Sequence, residues 1–461
     1  MRKHVFFIGI GGYGLSAIAR LLKEKGYVVS GSDSQLTDLA LDLRKNGVTV
    51  YEGHHPDHLV AVDIVVRSSA ISDDNPEVQA AHIKGIPVMK RSDFLGEIMQ
   101  GYIGIGVAGT HGKTTTTAMI AWMLAALDQE PTYIIGGVSK NLGNNAHAGA
   151  GKYFVIEADE YDRMFLGLSP TMAVITNIEH DHPDCFPTAL DYQMAFHGYC
   201  QRVQPQGFIL ACGDDAGVKK LIGMVKNKRI ITYGIEPGND YQAVDITVNA
   251  IGGHNFSLVH HMPTGEKVLT SVELQVPGRH NVRNASAAIA IAHQANQNIQ
   301  RAARVLRQFT GTGRRFEILG EARGITIIDD YAHHPTEIET TLEGARSRYP
   351  QRKIWVVWQP HTFSRTQTLF EAFCNAFSLA DHVIVSEIFA SREQSTGFSA
   401  AQVVEAMHHP SARFIPTLPE ITQFLIDNLH EQDVLLVLSA GNANQISREL
   451  LAHLSKQEEE L

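Results

Sequence analysis

Short apolar runs, each followed by a loop and an amphipathic stretch, recur along the chain, which is the pattern of a parallel α/β architecture. His4–Ile10 is the first such run, and a glycine turn and the stretch Leu15–Gly26 follow it, with Gly26 placed to close a helix. Val28–Ser32 and Ile64–Ser68 continue the pattern as strands. A second block opens near Gly101, where an apolar run leads into a helix rich in threonine and alanine, and Tyr153–Ala158 and Met172–Asn177 read as further strands. The segments 245–261 and 268–276 alternate polar with apolar residues around turns, the sign of appended antiparallel hairpins. A third block begins near Phe316, with strands expected at Ile325–Asp329, Ile354–Trp358, His382–Ser386 and Val434–Leu438. The expected division is therefore 1–100, 101–315 and 316–461.

Length and composition agree with several cores rather than one. A chain of 461 residues with 44% apolar content exceeds what a single core holds. Its net charge of −10 argues against a general nucleic-acid or membrane-surface binder, while leaving local phosphate sites open. No run of apolar residues is long enough to span a bilayer, so no membrane partner is expected. The opening Met1-Arg2-Lys3 and its apolar run pass directly into a glycine turn, as a first buried strand does and a cleaved leader does not. Cys185, Cys200, Cys212 and Cys374 have no metal-type spacing and read as thiols of a reducing, cytoplasmic compartment. Only the tail 457–461 reads as disordered.

The first chemical motif is Gly9-Ile10-Gly11-Gly12-Tyr13-Gly14, between a strand and a helix. Glycines there allow a tight turn and bring backbone N–H groups against a diphosphate at a helix N-terminus. Asp33 ends the next strand, where a ribose-binding carboxylate belongs. Glycine turns also serve packing alone, but strand, turn, helix, strand and aspartate in order favour a nucleotide-type ligand. A dinucleotide and a UDP-sugar are both compatible.

The second motif, Gly109-Thr110-His111-Gly112-Lys113-Thr114-Thr115, follows a strand and opens a helix. Backbone N–H groups of such a loop cradle phosphates, the lysine balances their charge, and the threonine hydroxyl ligates Mg²⁺. A threonine-rich helix cap would not explain Lys113, because a cation in the first turn opposes the helix dipole unless an anion offsets it. The spacing departs from a full phosphate loop, with Val107 where a glycine is usual.

Two acidic clusters, Glu157-Ala158-Asp159-Glu160 and Glu179-His180-Asp181-His182, follow apolar strands of the same block. Glu157 and Asp159 would face one way along an extended strand, and His182 adds an imidazole. Carboxylates beside a triphosphate call for Mg²⁺. Gly278-Arg279-His280-Asn281 opens another helix, Gly311–Phe316 carries two cations, and Asp330, His333 and His334 stand at a strand's carboxyl end. Pro335 suits the first position of the following helix. Arg365 lies in the first turn after Pro360-His361-Thr362 and is suited to clamp a carboxylate.

Taken in order, GTHGKTT, EADE with NIExDH, PGRHNxxNA, GTGRRFE, DDYxHHPTE and QPHxFSRT resemble the Mur ligase family across nearly the whole chain. The resemblance implies a three-domain α/β enzyme: a Rossmann-like N-terminal domain, a central P-loop ATPase-like domain and a Rossmann-like C-terminal domain. UDP-N-acetylmuramate would lie on Gly9, Gly11, Gly12 and Gly14, with Asp33, Ser68 and Ser69 nearby. Mg²⁺ and ATP would be held by the loop Gly109–Thr115 through Lys113 and Thr114, with Glu157 and His182 as ligands of a second Mg²⁺. His280 and Asn281 would reach the adenine, Arg314 and Asp330 the nucleotide from across a domain junction, and His334 and Arg365 the amino acid. The implied reaction activates the lactyl carboxylate as an acyl phosphate, which the amine of L-alanine then attacks.

Departures from that pattern mark the acceptor end. Thr362 stands where many of the alanine-adding branch carry a second arginine, and LVLSAGNANQIS replaces a more glycine-rich motif. EADEYD is shared with the branch that joins UDP-N-acetylmuramate to a recycled murein tripeptide, the alternative acceptor. The carbamylated lysine of several other members is absent, with His197 in that neighbourhood, as in the alanine branch. The sequence leaves the oligomeric state open.

Overall fold

The computed structural model describes residues 3–391, 393–395 and 397–459, which form three sheets. The first holds β1 (His4–Ile8), β2 (Val28–Asp33), β3 (Thr49–Glu52), β4 (Ile64–Arg67) and β5 (Val88–Lys90). It is all parallel in the order β3-β2-β1-β4-β5. The strand order reverses between β1 and β4, which opens a ligand crevice at their carboxyl ends. The helix Tyr13–Glu24 covers one face because Leu15, Ile18, Leu21 and Leu22 fall on one buried stripe.

The second sheet comprises β6 (Ile103–Ala108), β7 (Thr132–Ile134), β8 (Ala146–His147), β9 (Tyr153–Glu157), β10 (Met172–Ile175), β11 (Phe208–Cys212), β12 (Arg229–Gly234), β13 (Tyr241–Val248), β14 (His254–Met262) and β15 (Gly265–Glu273). Its order is β15-β14-β13-β12-β11-β10-β6-β9-β7-β8. The strands from β7 to β13 pair in parallel, while β14 and β15 form the expected antiparallel hairpins and β8 an antiparallel edge. β6 lies between β9 and β10, so the loop after it stands between the two acidic loops. The helix Lys113–Ala126 is apolar nearly all round because it is wedged between this sheet and the helix Arg279–Gln294.

The third sheet has β16 (Glu317–Ala322), β17 (Ile325–Asp330), β18 (Ile354–Gln359), β19 (His382–Val385), β20 (Ala412–Phe414) and β21 (Val434–Ser439), in the order β16-β17-β21-β18-β19-β20. Every residue of β17, β18 and β21 is buried, as in parallel strands covered on both faces. The protein is thus α/β with three domains built on parallel-rich sheets.

β3, β5, β7, β8, β11, β12, β16 and β20 were not among the expected strands, and expected strands end early at functional sites. β1 stops at Ile8 because Gly9 turns into positive φ (+87°) to begin the glycine loop. β9 and β10 likewise stop at Glu157 and Ile175, before their acidic loops. The tail read as disordered is helical instead: Asn444–Glu459 is one helix, whose Leu450 and Leu454 pack on the third sheet. Residues 460–461 of that tail lie outside the described residues. Among the described residues no helix is long and apolar enough to cross a membrane.

Candidate active site

The carboxyl ends of the three sheets face one another, and each sequence motif sits on one of those ends. In the first domain, Asp33 accepts the Gly11 N–H (2.8 Å) and Thr37 Oγ1 donates to the Gly11 carbonyl (2.9 Å), so the aspartate pins the glycine loop with one of its oxygens. A Cβ at Gly11 would lie 2.7 Å from the Thr37 hydroxyl, which excludes a side chain there. Ser68 follows β4 beside Gly9, its N–H on the Ile8 carbonyl at 3.0 Å, and Ser69 is exposed beyond it. Gly14 lies under the Arg91 guanidinium, which reaches on to Asp159 of the second domain (3.1 Å).

In the second domain, Gly109 (φ +143°) and Gly112 (φ +79°) bend the loop into the helix Lys113–Ala126. Lys113 Nζ donates to the carbonyls of Gly109 (2.6 Å) and Thr110 (2.9 Å) and to Glu160 Oε1 (2.9 Å). Burial works against its charge, but Glu160, Asp159 and Glu157 outweigh burial and hold the ammonium above its ordinary value. Thr114 Oγ1 donates to Glu157 Oε1 (3.1 Å), whose other oxygen accepts the Gly136 N–H (2.7 Å). Burial, with Asp159 adding to it against the pull of Lys113, pushes the Glu157 and Glu160 carboxyls up. Glu157 and Asp159 line the same cleft but take different partners, because β9 ends at Glu157 and the chain turns toward Arg91. His182, at φ +55°, has Nε2 3.7 Å from both Glu160 and Asp181.

The third domain supplies the opposite wall. Asp330, at the end of β17, accepts the N–H groups of Phe316 (2.6 Å) and Ala332 (2.7 Å), and burial raises its carboxyl to about 6. Arg314 pairs with Asp329 (3.3 Å) and donates to the Ser439 carbonyl. His334 caps the helix Pro335–Arg348, with Pro335 first in that helix as expected. Arg365 is buried: Nε donates to Asp181 Oδ1 (2.9 Å) across the domain boundary, and Nη1 donates to the His361 carbonyl (2.6 Å). Burial, then Arg365, depresses the His361 imidazole to about 4.

Two adjoining cavities run through these walls. One is bordered by His111, Thr115, Asn177, Asp214, His280 and Asn281. The other touches all three domains, from Gly14 and Arg91 through Lys113 and Glu157 to His333 and Arg365. They meet at Thr114, Arg315 and Glu337. Family models match the chain in three consecutive stretches: the Mur ligase family catalytic domain at 4–103, the Mur ligase middle domain at 107–292 and the Mur ligase glutamate ligase domain at 314–441.

The chain belongs to the Mur ligase family. Among its relatives, the UDP-N-acetylmuramate–L-alanine ligase of Syntrophus aciditrophicus is 40% identical, over 99% of this chain and 95% of the relative. The enzyme of that name from Acidithiobacillus ferrooxidans is 42% identical over 95% of each. A solved UDP-N-acetylmuramate–alanine ligase from Thermotoga maritima superposes with a TM-score of 0.82 at 28% identity, covering 99% of this chain and 100% of that one. A murein peptide ligase from Psychrobacter arcticus gives 0.73 at 27%, covering 98% and 99%.

Several residues at this Mur ligase site have partners that no local signal in the sequence shows. Glu160 is the counter-ion of Lys113, and Asp181 that of Arg365. Asp214, on the loop after β11, accepts from Arg283 Nε (2.7 Å) at the rim of the first cavity. Glu337 joins His111 (3.1 Å) and Arg315 (3.5 Å). EADE, NIExDH and HHPTE named the stretches holding three of these carboxylates, but not their partners.

His280 gives a pH prediction. Burial, then Arg283, depresses its imidazole to about 4, and its Nδ1 is buried with no hydrogen-bond partner among the described residues. An unfolded imidazole titrates near 6.5. Its contribution to stability is therefore full above about 6.5 and is lost progressively as pH falls toward 4, where the unfolded chain binds a proton that the folded chain refuses. Urea denaturation of wild type and His280→Phe at pH 8 and pH 5 measures this, and the mutant is expected to lose less stability on acidification.

Proposed function

We propose that this chain is an ATP-dependent ligase that joins L-alanine to the lactyl carboxylate of UDP-N-acetylmuramate. The observation that carries the reading is the single cleft faced by all three domains, with Lys113 and the carboxylates of the second domain between the glycine loop and Arg365. The names of relatives about 40% identical over nearly the full chain support the same substrate and acceptor.

The residues fit a magnesium nucleotide. Glu157, Asp159 and Glu160 outnumber the cations Lys113 and Arg91 that pair with them, and Glu160 Oε2 is buried with no hydrogen-bond partner among the described residues. Thr114, Glu157 and His182 would hold Mg²⁺, and His280 with Asn281 would meet the adenine. Bound there, Mg²⁺ supplies charge stabilisation to the transferring phosphoryl group. Lys113 balances the phosphate charge from the loop side, keeping its proton because the surrounding carboxylates hold it above its ordinary value. Gly9, Gly11, Gly12 and Gly14 with Asp33, Ser68 and Ser69 would seat the UDP end, and the Arg91–Asp159 pair ties that domain to the phosphate side. Arg314 and Asp330 would close on the nucleotide, and Arg365 would face the acceptor together with His333, since the buried His334 expected there lines neither cavity.

In the first step a lactyl carboxylate oxygen attacks the γ-phosphorus and ADP leaves. In the second the neutral amine attacks the acyl carbon, inorganic phosphate leaves, and the nitrogen gives up a proton. Closure of the three domains would exclude the water that hydrolyses an acyl phosphate.

Phosphate release from ATP with Mg²⁺ and UDP-N-acetylmuramate tests the reading. Release is expected to require L-alanine. Release that instead requires the tripeptide L-Ala-γ-D-Glu-diaminopimelate would assign the recycling reaction, which the EADEYD motif shares.

A further inference from the structure

On the far side of the phosphate loop from Lys113, a second group of ligand-type side chains is assembled from two domains. His111 and Glu179 come from the central domain, His334 from the C-terminal one, and one donor atom from each lies within 4.8 Å of the others. His111 Nε2 is 3.1 Å from Glu179 Oε2, and His334 Nδ1 is 3.9 Å from that same oxygen. The His111 and His334 rings lie 4.8 Å apart.

The groups behind His111 and Glu179 are arranged as supports for metal ligands. A ligating imidazole generally gives its other N–H to a carboxylate or carbonyl, which fixes its tautomer and direction. His111 does so: Nδ1 lies 3.1 Å from Glu337 Oε1, leaving Nε2 turned toward Glu179. Glu179 is itself oriented, with Oε1 accepting the Thr336 hydroxyl at 2.8 Å. His334 is 2% exposed, and its Nε2 has no hydrogen-bond partner among the described residues.

A simple ion pair accounts for only part of this arrangement. It satisfies His111 and Glu179 and leaves His334 Nδ1 with only the long cap contact from the Thr336 N–H (3.4 Å), since 3.9 Å to Glu179 is too long for a hydrogen bond. A metal ion uses all three. Ligands around a tetrahedral ion with bonds of 2.0–2.1 Å sit roughly 3.3 Å apart, so ring movements of about 1 Å close the site. Glu179 is 42% exposed and provides the way in. Two imidazoles and one carboxylate suit zinc-like ions, whereas a Mg²⁺ site is dominated by oxygen ligands.

We propose that His111, Glu179 and His334 form a binding site for a borderline-soft divalent cation of the zinc or cobalt(II) type, joining the central and C-terminal domains. The site is separate from the Thr114, Glu157 and His182 set and does not depend on which acceptor the enzyme uses. An ion bridging the two domains resists their separation.

Titrating the chelator-treated full-length protein with Co²⁺, without nucleotide, tests the site through the ion's visible absorption. One equivalent is expected to bind, to be displaced by Zn²⁺ and to survive excess Mg²⁺. Glu179→Gln and His334→Gln are each expected to weaken binding by more than the roughly 10–100-fold lost when only a group supporting a ligand is removed, while Glu157→Gln leaves it unchanged. Melting curves establish that each variant is folded; if His334→Gln is not, the exposed Glu179 position decides. The absence of saturable binding, binding indifferent to Glu179→Gln, or binding lost only with Glu157→Gln would each overturn the site.

Discussion

Lys113→Ala is expected to reduce ATP-dependent phosphate release by at least about 10²–10³-fold, the usual loss when one preorganised charge-stabilising donor is removed. The argument rests on how the lysine is held. Three contacts, to the carbonyls of Gly109 and Thr110 and to Glu160, aim its ammonium across the mouth of the loop. Alanine removes that charge and leaves Glu160, 1% exposed, without its counter-ion. Breaking a buried pair costs on the order of 3 kcal/mol when the remaining charge stays. Glu160 is already pushed up by burial, so it takes a proton instead and limits the loss of stability. Adding Glu160→Gln to Lys113→Ala is accordingly expected to recover stability in urea denaturation but no turnover. A folded Lys113→Ala variant within about tenfold of wild-type turnover would contradict the role given to the loop.

What could be read from the sequence was whatever a short stretch of chain decides alone. The glycine turn after β1, the loop Gly109–Thr115 and the helix starting at Pro335 are local events, set by positive φ, helix capping and proline geometry. The hairpins β13–β15 were equally visible because alternation and turns lie within about thirty residues. Partners were not visible. His111 meets Glu179 and Glu337, 68 and 226 positions away, only because β10 lies beside β6 and the third domain closes over both. Asp214 and Arg283, 69 apart, are joined by the helix Arg279–Gln294 crossing the sheet. The clamp expected of Arg365 was read from its place after β18, and that place holds. Its pairing with Asp181, 184 positions away, belongs to the domain junction and leaves no trace in either local motif. The edge strands β3, β5, β8, β16 and β20 were missed for a related reason: an edge strand is stabilised by its neighbour more than by its own sequence. The internal strands β7, β11 and β12 were also not named, and that reason does not cover them.

Arg365→Ala is expected to act on two observables at once. The guanidinium is 6% exposed and Asp181 is 5% exposed, so removing the cation leaves a carboxylate that His182 and Arg365 together keep well below the ordinary carboxylate range against burial. An uncompensated buried charge of that kind costs about 3–5 kcal/mol near neutral pH. Because the Asp181 value is depressed, its stabilising contribution is present above the unfolded value near 3.9 and is lost as pH falls through the depressed one. The mutant and wild-type stabilities should therefore converge only in strong acid. The second observable is the acceptor. If the guanidinium also receives the amino-acid carboxylate, losing a charge-assisted hydrogen bond worth about 1.5–3 kcal/mol raises the KM for L-alanine by roughly 10–100-fold, with a smaller change for ATP. Asp181→Asn separates the two roles, since it loosens the domain junction while leaving the arginine in place. If both variants are destabilised and only Arg365→Ala raises the alanine KM, the arginine holds the substrate as well as the junction. An alanine KM that does not move in Arg365→Ala would restrict Arg365 to tying the two domains together, and the carboxylate would have to be held by another cation of the cleft.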